Sequence, residues 1–206
     1  MSRHQALLTT ILALCAPTLL SAQHPRFGIA LGTSLVGGGD SRTLVNAGGF
    51  NVTGADQAGF HIRAMVDIPL DSSAFAFRTE LFYNNLHSRP NSTAFLASGE
   101  IGAAALTDRT FGLTGNFVAG LSPRARVSPY FLLGAGVFLS FLGTNPDRQS
   151  SHVATTRSGM GLGLQTGMGM RLRLGQRSLL VEWRYGQALN NTRGTGFMPL
   201  TIGLLF

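Results

Sequence analysis

Sixteen arginines, nine acids, five histidines and one cysteine are the reactive side chains of this 206-residue chain, which has no lysine. The missing lysine removes P-loop, Schiff-base and kinase-type chemistry at once. Cys15 alone cannot build an intrachain disulfide or a multi-cysteine zinc or iron–sulfur site. His24, His61, His87 and His152 are scattered, and H-E-x-x-H, G-x-S-x-G, G-x-G-x-x-G and Walker sequences are all absent. No catalytic, cofactor-binding or metal-ligating residue is therefore expected. What stands out is a recurring spacing of opposite charges. Arg63 and Asp67, Arg78 and Glu80, and Glu182 and Arg184 are two or four residues apart, as are Arg171 and Arg173. In an extended chain, residues at even spacing share one face. Guanidinium and carboxylate groups on facing strands can then form charge-assisted pairs.

Such pairs need strands to hold them, and the sequence supplies a period of two throughout. From Met160 to Leu174 the even positions are Met160, Leu162, Leu164, Thr166, Met168, Met170, Leu172 and Leu174. The odd positions are Gly161, Gly163, Gln165, Gly167, Gly169, Arg171 and Arg173. One face is greasy and the other small or polar, which predicts a strand. Phe60, Ile62, Ala64, Val66 and Ile68 oppose His61, Arg63, Met65 and Asp67. Phe75, Phe77, Leu81 and Tyr83 oppose Arg78 and Glu80, and Val181, Trp183 and Tyr185 oppose Glu182 and Arg184. Eight such segments are predicted, over 26–36, 56–69, 73–87, 107–121, 129–142, 157–174, 178–189 and 196–206. Their connections alternate between long and short, so the long ones fall at one end of the sheet. Residues 91–106 are Ala-rich and fit either a short helix in a loop or an early start of the fourth strand.

Composition decides what surrounds these strands. Only 12% of residues are charged and 27 are glycine, where a soluble chain carries about 25% charged residues. Mean hydropathy is +0.20. A soluble barrel would show a charged second face to water. Here that face is mostly Gly, Ala, Thr and Asn with isolated Arg and Glu, which suits a narrow interior. The Phe, Met, Leu and Trp face must then cover the outside, and lipid accepts it. In lipid the backbone must close on itself. The fold class expected is all-β: a closed antiparallel eight-stranded transmembrane β-barrel with both termini periplasmic. Arg63, Asp67, Arg78, Glu80, Arg171, Arg173, Glu182 and Arg184 then form a charge network in the lumen.

The N-terminus reads as an address. Arg3 and His4 precede an apolar run from Ala6 to Leu20, and Ser21-Ala22 offers a small residue for cleavage. Residues 1–22 are expected to be a secretory signal peptide and residues 23–206 the barrel domain. Cleavage would remove Cys15.

The pattern resembles the small outer-membrane β-barrels of Gram-negative bacteria, the OmpA/OmpX-like group. Its sharpest local piece is the C-terminus, Met198-Pro199-Leu200-Thr201-Ile202-Gly203-Leu204-Leu205-Phe206. A terminal Phe after alternating apolar residues is similar to the signal read by the outer-membrane assembly machinery, with Leu200, Ile202, Leu204 and Phe206 as its residues. Pro129-Tyr130-Phe131-Leu132-Leu133-Gly134-Ala135-Gly136 and Val181-Glu182-Trp183-Arg184-Tyr185 are also similar to segments of such barrels. The resemblance implies a non-enzymatic protein of the bacterial outer membrane. Its role would be structural, surface display or binding through extracellular loops. The implied partners are outer-membrane lipid, lipopolysaccharide, periplasmic chaperones and the assembly machinery, and a monomer is expected. Arg42, Arg89, Arg148, Arg157 and Arg193 lie in or near the long connections and are candidate lipopolysaccharide contacts, since Arg matches phosphate geometry bidentately. Three other readings stand beside this one: a narrow porin-like channel, a lipid-modifying enzyme and a soluble lipocalin-like barrel. A deacylase of this group carries His-x-Ser, whereas His61, His87 and His152 are followed two residues on by Arg63, Arg89 and Ala154. A sequence pI near 11 raises nucleic acid, but strand aromatics and arginines fall on opposite faces, so no nucleic-acid partner is expected.

Overall fold

Alternation along each segment becomes pairing between segments. The structure, a computed structural model, describes residues 25–36, 51–53, 57–70, 74–88, 93–95, 101–121, 125–146, 155–189 and 196–206. The strands are β1 (Arg26–Val36), β2 (Asn51–Thr53), β3 (Gln57–Pro69), β4 (Phe75–Ser88), β5 (Thr93–Phe95), β6 (Ile101–Gly120), β7 (Val127–Pro146), β8 (Thr155–Leu174), β9 (Arg177–Ala188) and β10 (Phe197–Leu205). Among the described residues there is no helix.

Eight of these strands close a ring. The order is β6-β4-β3-β1-β10-β9-β8-β7, and β6 also pairs with β7. Every pairing is antiparallel. A walk across paired residues passes Arg26, Asp67, Arg78, Asn116, Gly134, Gln165, Gly186 and Phe197, and returns to β1 at Val36. The sheet is thus staggered by about ten residues per circuit, the shear that tilts strands against the barrel axis. Closure leaves no unpaired edge around the ring. Phe206 N–H bonds Phe27 O at 2.8 Å, so pairing continues to the last residue.

One end is tied by short connections. Gly175 and Gln176 turn β8 into β9, and Gly175 takes φ 65°, a value that a two-residue hairpin turn demands and glycine accepts. Leu70 N–H bonds Phe75 O, and Leu121 N–H bonds Pro129 O, each at 2.9 Å. At the other end β6, β7 and β8 run 20 residues each, past the ends of β1 and β9. The residues between 91 and 106 are strand where described: β5 pairs with β6, and β2 with β5. The strand alternative holds there, and the helix does not.

The greasy face points outward. Leu31, Ile62, Leu81, Leu113, Phe131, Leu133, Leu162, Met168, Trp183 and Ile202 are exposed, with Leu133 at 67% and Met160 at 72%. Gly28, Ala30, Arg63, Arg78, Glu80 and Glu182, on the alternate face, are buried. An exposed belt of this size would aggregate in water and is matched by acyl chains.

Candidate functional site

The inward residues fill the lumen in three layers. At the end of the long connections lie Phe82, Leu86, Phe138, Ala188 and Phe197. Phe82 meets Phe138 edge-on at 5.2 Å between centroids, and Phe197 lies 5.6 Å from Phe82. His61 stacks on Phe82 at 5.4 Å, with its Nδ1 3.3 Å from Asn84 Oδ1. Each of the three phenylalanines is seated against a glycine of a neighbouring strand. A Cβ on Gly112 would fall 2.2 Å from the Phe82 ring, one on Gly163 2.5 Å from Phe138, and one on Gly186 2.6 Å from Phe197. Inward glycines are therefore the space that the rings occupy.

The middle layer is ionic. Asp67 and Arg78 are direct cross-strand partners on β3 and β4. Arg78 grips Asp67 through Nε and, at 3.1 Å, through Nη2. Its Nη1 reaches Glu182 Oε1 at 2.5 Å. Arg184 donates to both carboxylates, at 2.5 and 2.7 Å to Glu80 and at 3.1 and 2.8 Å to Glu182. β4 and β9 stand on opposite walls of the ring, so the Arg78–Glu182 and Arg184–Glu80 bonds cross the lumen. Arg171 Nη2 likewise crosses from β8 to Asp67 Oδ2 at 2.9 Å. Tyr130 OH donates to Glu182, and Arg63 Nη2 abuts the same carboxylate. Asn116 and Gln165 complete the layer, donating to Glu80 Oε2 at 3.2 and 3.3 Å. Arg78, Asp67 and Glu182 are all 0% exposed.

Below this, towards the short turns, Ala30, Met65, Ala76, Val118, Leu132, Leu180 and Leu205 form an aliphatic layer around the Tyr130 ring. Arg78 and Arg171 lie over that ring, 5.6 and 5.7 Å from its centre.

Seven of the eight residues assigned to the lumen charges meet in the middle layer. Arg173 does not: its side chain is exposed, because β8 has reached the turn and left the lumen. Leu200, Ile202 and Phe206 are exposed on the outer face, with Leu204 half-buried on the same face. Arg42, Arg89, Arg148 and Arg193 lie outside the described residues, as does the segment assigned as a signal peptide. Arg157 pairs with Leu142 in the extended part of β8, and its side chain is not described. Separation of strand aromatics onto the lipid face needs correcting, since Phe82, Phe138, Phe197 and Tyr130 are buried inside. Sequence reasoning missed Tyr130 and Asn116 as members of the ionic layer. Their parity was visible: Tyr130 and Asn116 alternate with the outward Phe131 and Phe117.

The three carboxylates of the middle layer, Asp67, Glu80 and Glu182, are each engaged by guanidinium groups. Charged, aromatic and aliphatic side chains occupy the path along the axis among the described residues. The arrangement is a plug.

No family model matches the sequence, and no curated protein matches it. Solved structures do. A major outer membrane protein from Thermus thermophilus aligns at TM-score 0.54 and 12% identity, over 89% of this chain and 99% of that one. Neisserial surface protein A aligns at TM-score 0.52 and 13% identity, over 89% and 98%. Ail, the attachment invasion locus protein of Yersinia pestis, aligns at TM-score 0.50 and 14% identity, over 89% and 100%. At such identities the likeness is one of fold. With its closed ring of eight antiparallel strands, its outward apolar belt and its filled lumen, the chain has the fold of the small outer-membrane β-barrels.

Proposed function

We propose that this protein is an integral barrel of the bacterial outer membrane that anchors and displays its long connections, and that it is neither a channel nor an enzyme. The filled lumen is the observation that carries the reading. An eight-stranded barrel has room for side chains or one small ligand, and here the side chains take that room. In the proposal residues 1–22 direct export and are removed. Leu200, Ile202, Leu204 and Phe206 present the alternating apolar end to the assembly machinery, after chaperones have carried the chain across the periplasm. The barrel works as a monomer in lipid.

Recognition then falls to the connections, because loops on a rigid scaffold are free to vary. Arg42, Arg89, Arg148, Arg157 and Arg193 are proposed to meet lipopolysaccharide phosphates. An Arg148→Ala, Arg193→Ala double variant should bind lipopolysaccharide more weakly than the parent, and equal affinity would remove those two residues from the proposal. The reading as a whole is tested in planar bilayers. The refolded barrel should give no steady single-channel steps, and reproducible steps would replace display by conduction.

A further inference from the structure

The turn end of the barrel carries cations that lie outside the ionic layer of the lumen. The four described carboxylates, Asp67, Glu80, Asp108 and Glu182, are all buried. Arg126, Arg173 and Arg177, by contrast, are exposed. Three neighbouring strands bring these arginines to one place. Arg173 N–H bonds Arg126 O at 2.8 Å, where β7 begins and β8 ends. Leu174, the next residue, pairs with Arg177 at the start of β9. Paired strands stand about 5 Å apart, so the three backbones span about 10 Å. Asp71 and Arg124, in short connections outside the described residues, carry opposite charges that cancel.

The cluster borders the greasy belt. Val127 follows Arg126, Leu174 follows Arg173, and both apolar side chains are exposed. Arg177 lies over the exposed ring of Phe206, 5.7 Å from its centre. That contact uses the face of the guanidinium and leaves its N–H edge open to oxygen acceptors. Where apolar side chains give way to arginines, hydrocarbon gives way to headgroups. An acidic protein in the adjoining water would match the arginines but not the apolar rim beside them.

Headgroup charge then selects the lipid. Guanidinium groups match phosphate oxygens bidentately, and basic clusters are drawn to anionic leaflets. A zwitterionic headgroup brings its own cation, which the arginines repel. We propose that Arg126, Arg173 and Arg177 form a docking site for the headgroups of anionic phospholipids in the leaflet around the turn end. Arg126 and Arg177 make the phosphate contacts, and Arg173 between them adds to the field. The site rests on the reading of this protein as an outer-membrane barrel. It lies at the end opposite the long connections proposed to meet lipopolysaccharide.

The test uses residues 23–206 folded in a neutral maltoside detergent. Phosphatidylglycerol and phosphatidylcholine with the same acyl chains are added in equal amounts, and the lipids retained by the barrel are counted by native mass spectrometry. The parent should keep phosphatidylglycerol in clear excess. Equal retention of the two lipids overturns the proposal.

Two variants locate the preference. Arg177→Gln should lower the ratio of bound phosphatidylglycerol to phosphatidylcholine about fivefold. Arg126→Gln, Arg177→Gln together should lower it about twentyfold, at about fivefold per arginine. Both substitutions fall on exposed side chains outside the ionic layer, so the variants should fold as the parent does. A ratio unchanged in both variants would show that the lipid is held elsewhere and would also overturn the proposal. Gel mobility in SDS, read on the same samples, separates the two levels of the reading. A folded barrel without the lipid preference defeats the docking site alone. A parent chain that gives no folded band defeats the outer-membrane reading, and the site with it.

Discussion

Glu182 sits where the central layer converges. Arg78 and Tyr130 donate to one of its oxygens, Arg184 donates to the other, and Arg63 abuts that second oxygen. A buried ion pair is weak evidence of net stabilisation, because two charges had to leave water. Removing one partner is different, since the remaining charges stay buried and unmatched. Glu182→Ala should therefore destabilise the folded barrel by about 3–5 kcal/mol, read as a lower urea midpoint in detergent micelles or vesicles. An unchanged midpoint would mean that Glu182 does not hold the layer together. The members of this layer were partly legible in the sequence. Even spacing placed Arg63, Arg78, Glu80, Glu182 and Arg184 on inward faces, because parity alone sets which side a strand residue takes. It could not say that Arg78 on β4 meets Glu182 on β9, since that depends on the stagger of the closed sheet. Arg173 shows the limit of parity: it keeps the inward phase of Arg171, but the strand has left the lumen.

At the scale of the strand, the segment boundaries read from alternation lie close to those observed. β1 is Arg26–Val36 in both, and β9 and β10 differ by a residue at either end. Alternation is weakest over residues 91–106. There β6 runs on past its pairing with β4 and pairs with the short β5 instead. The inward phenylalanines were also hidden. Phe82, Phe138 and Phe197 fit because Gly112, Gly163 and Gly186 on adjacent strands lack side chains, a match that only the register reveals. β10 is the clearest test of the outer face. Ile202 is 57% exposed and is flanked across the sheet by Leu31 and Val181, both also exposed. Ile202→Arg should cost about 2–4 kcal/mol if this point lies near the bilayer midplane, measured by urea titration in vesicles. A cost near zero would place Ile202 outside the hydrocarbon.

For the whole molecule, a small charge content, a closed hydrogen-bonded ring and a plugged interior describe one object. Closure satisfies the backbone where no water is present. The outer belt supplies the lipid contact, and the described part of the lumen is filled by an ionic layer between an aromatic and an aliphatic one. These properties belong together: a chain with this belt but an open sheet would leave strand edges unpaired in lipid. The measurement that tests this most directly is gel mobility of residues 23–206 in SDS, unboiled and boiled, after dilution from urea with and without detergent or lipid. A folded barrel should migrate differently from its boiled form, and only after refolding with detergent or lipid. A chain that shows no such shift, and that stays soluble and folded in plain buffer, would contradict the account and require the inner and outer faces to be exchanged.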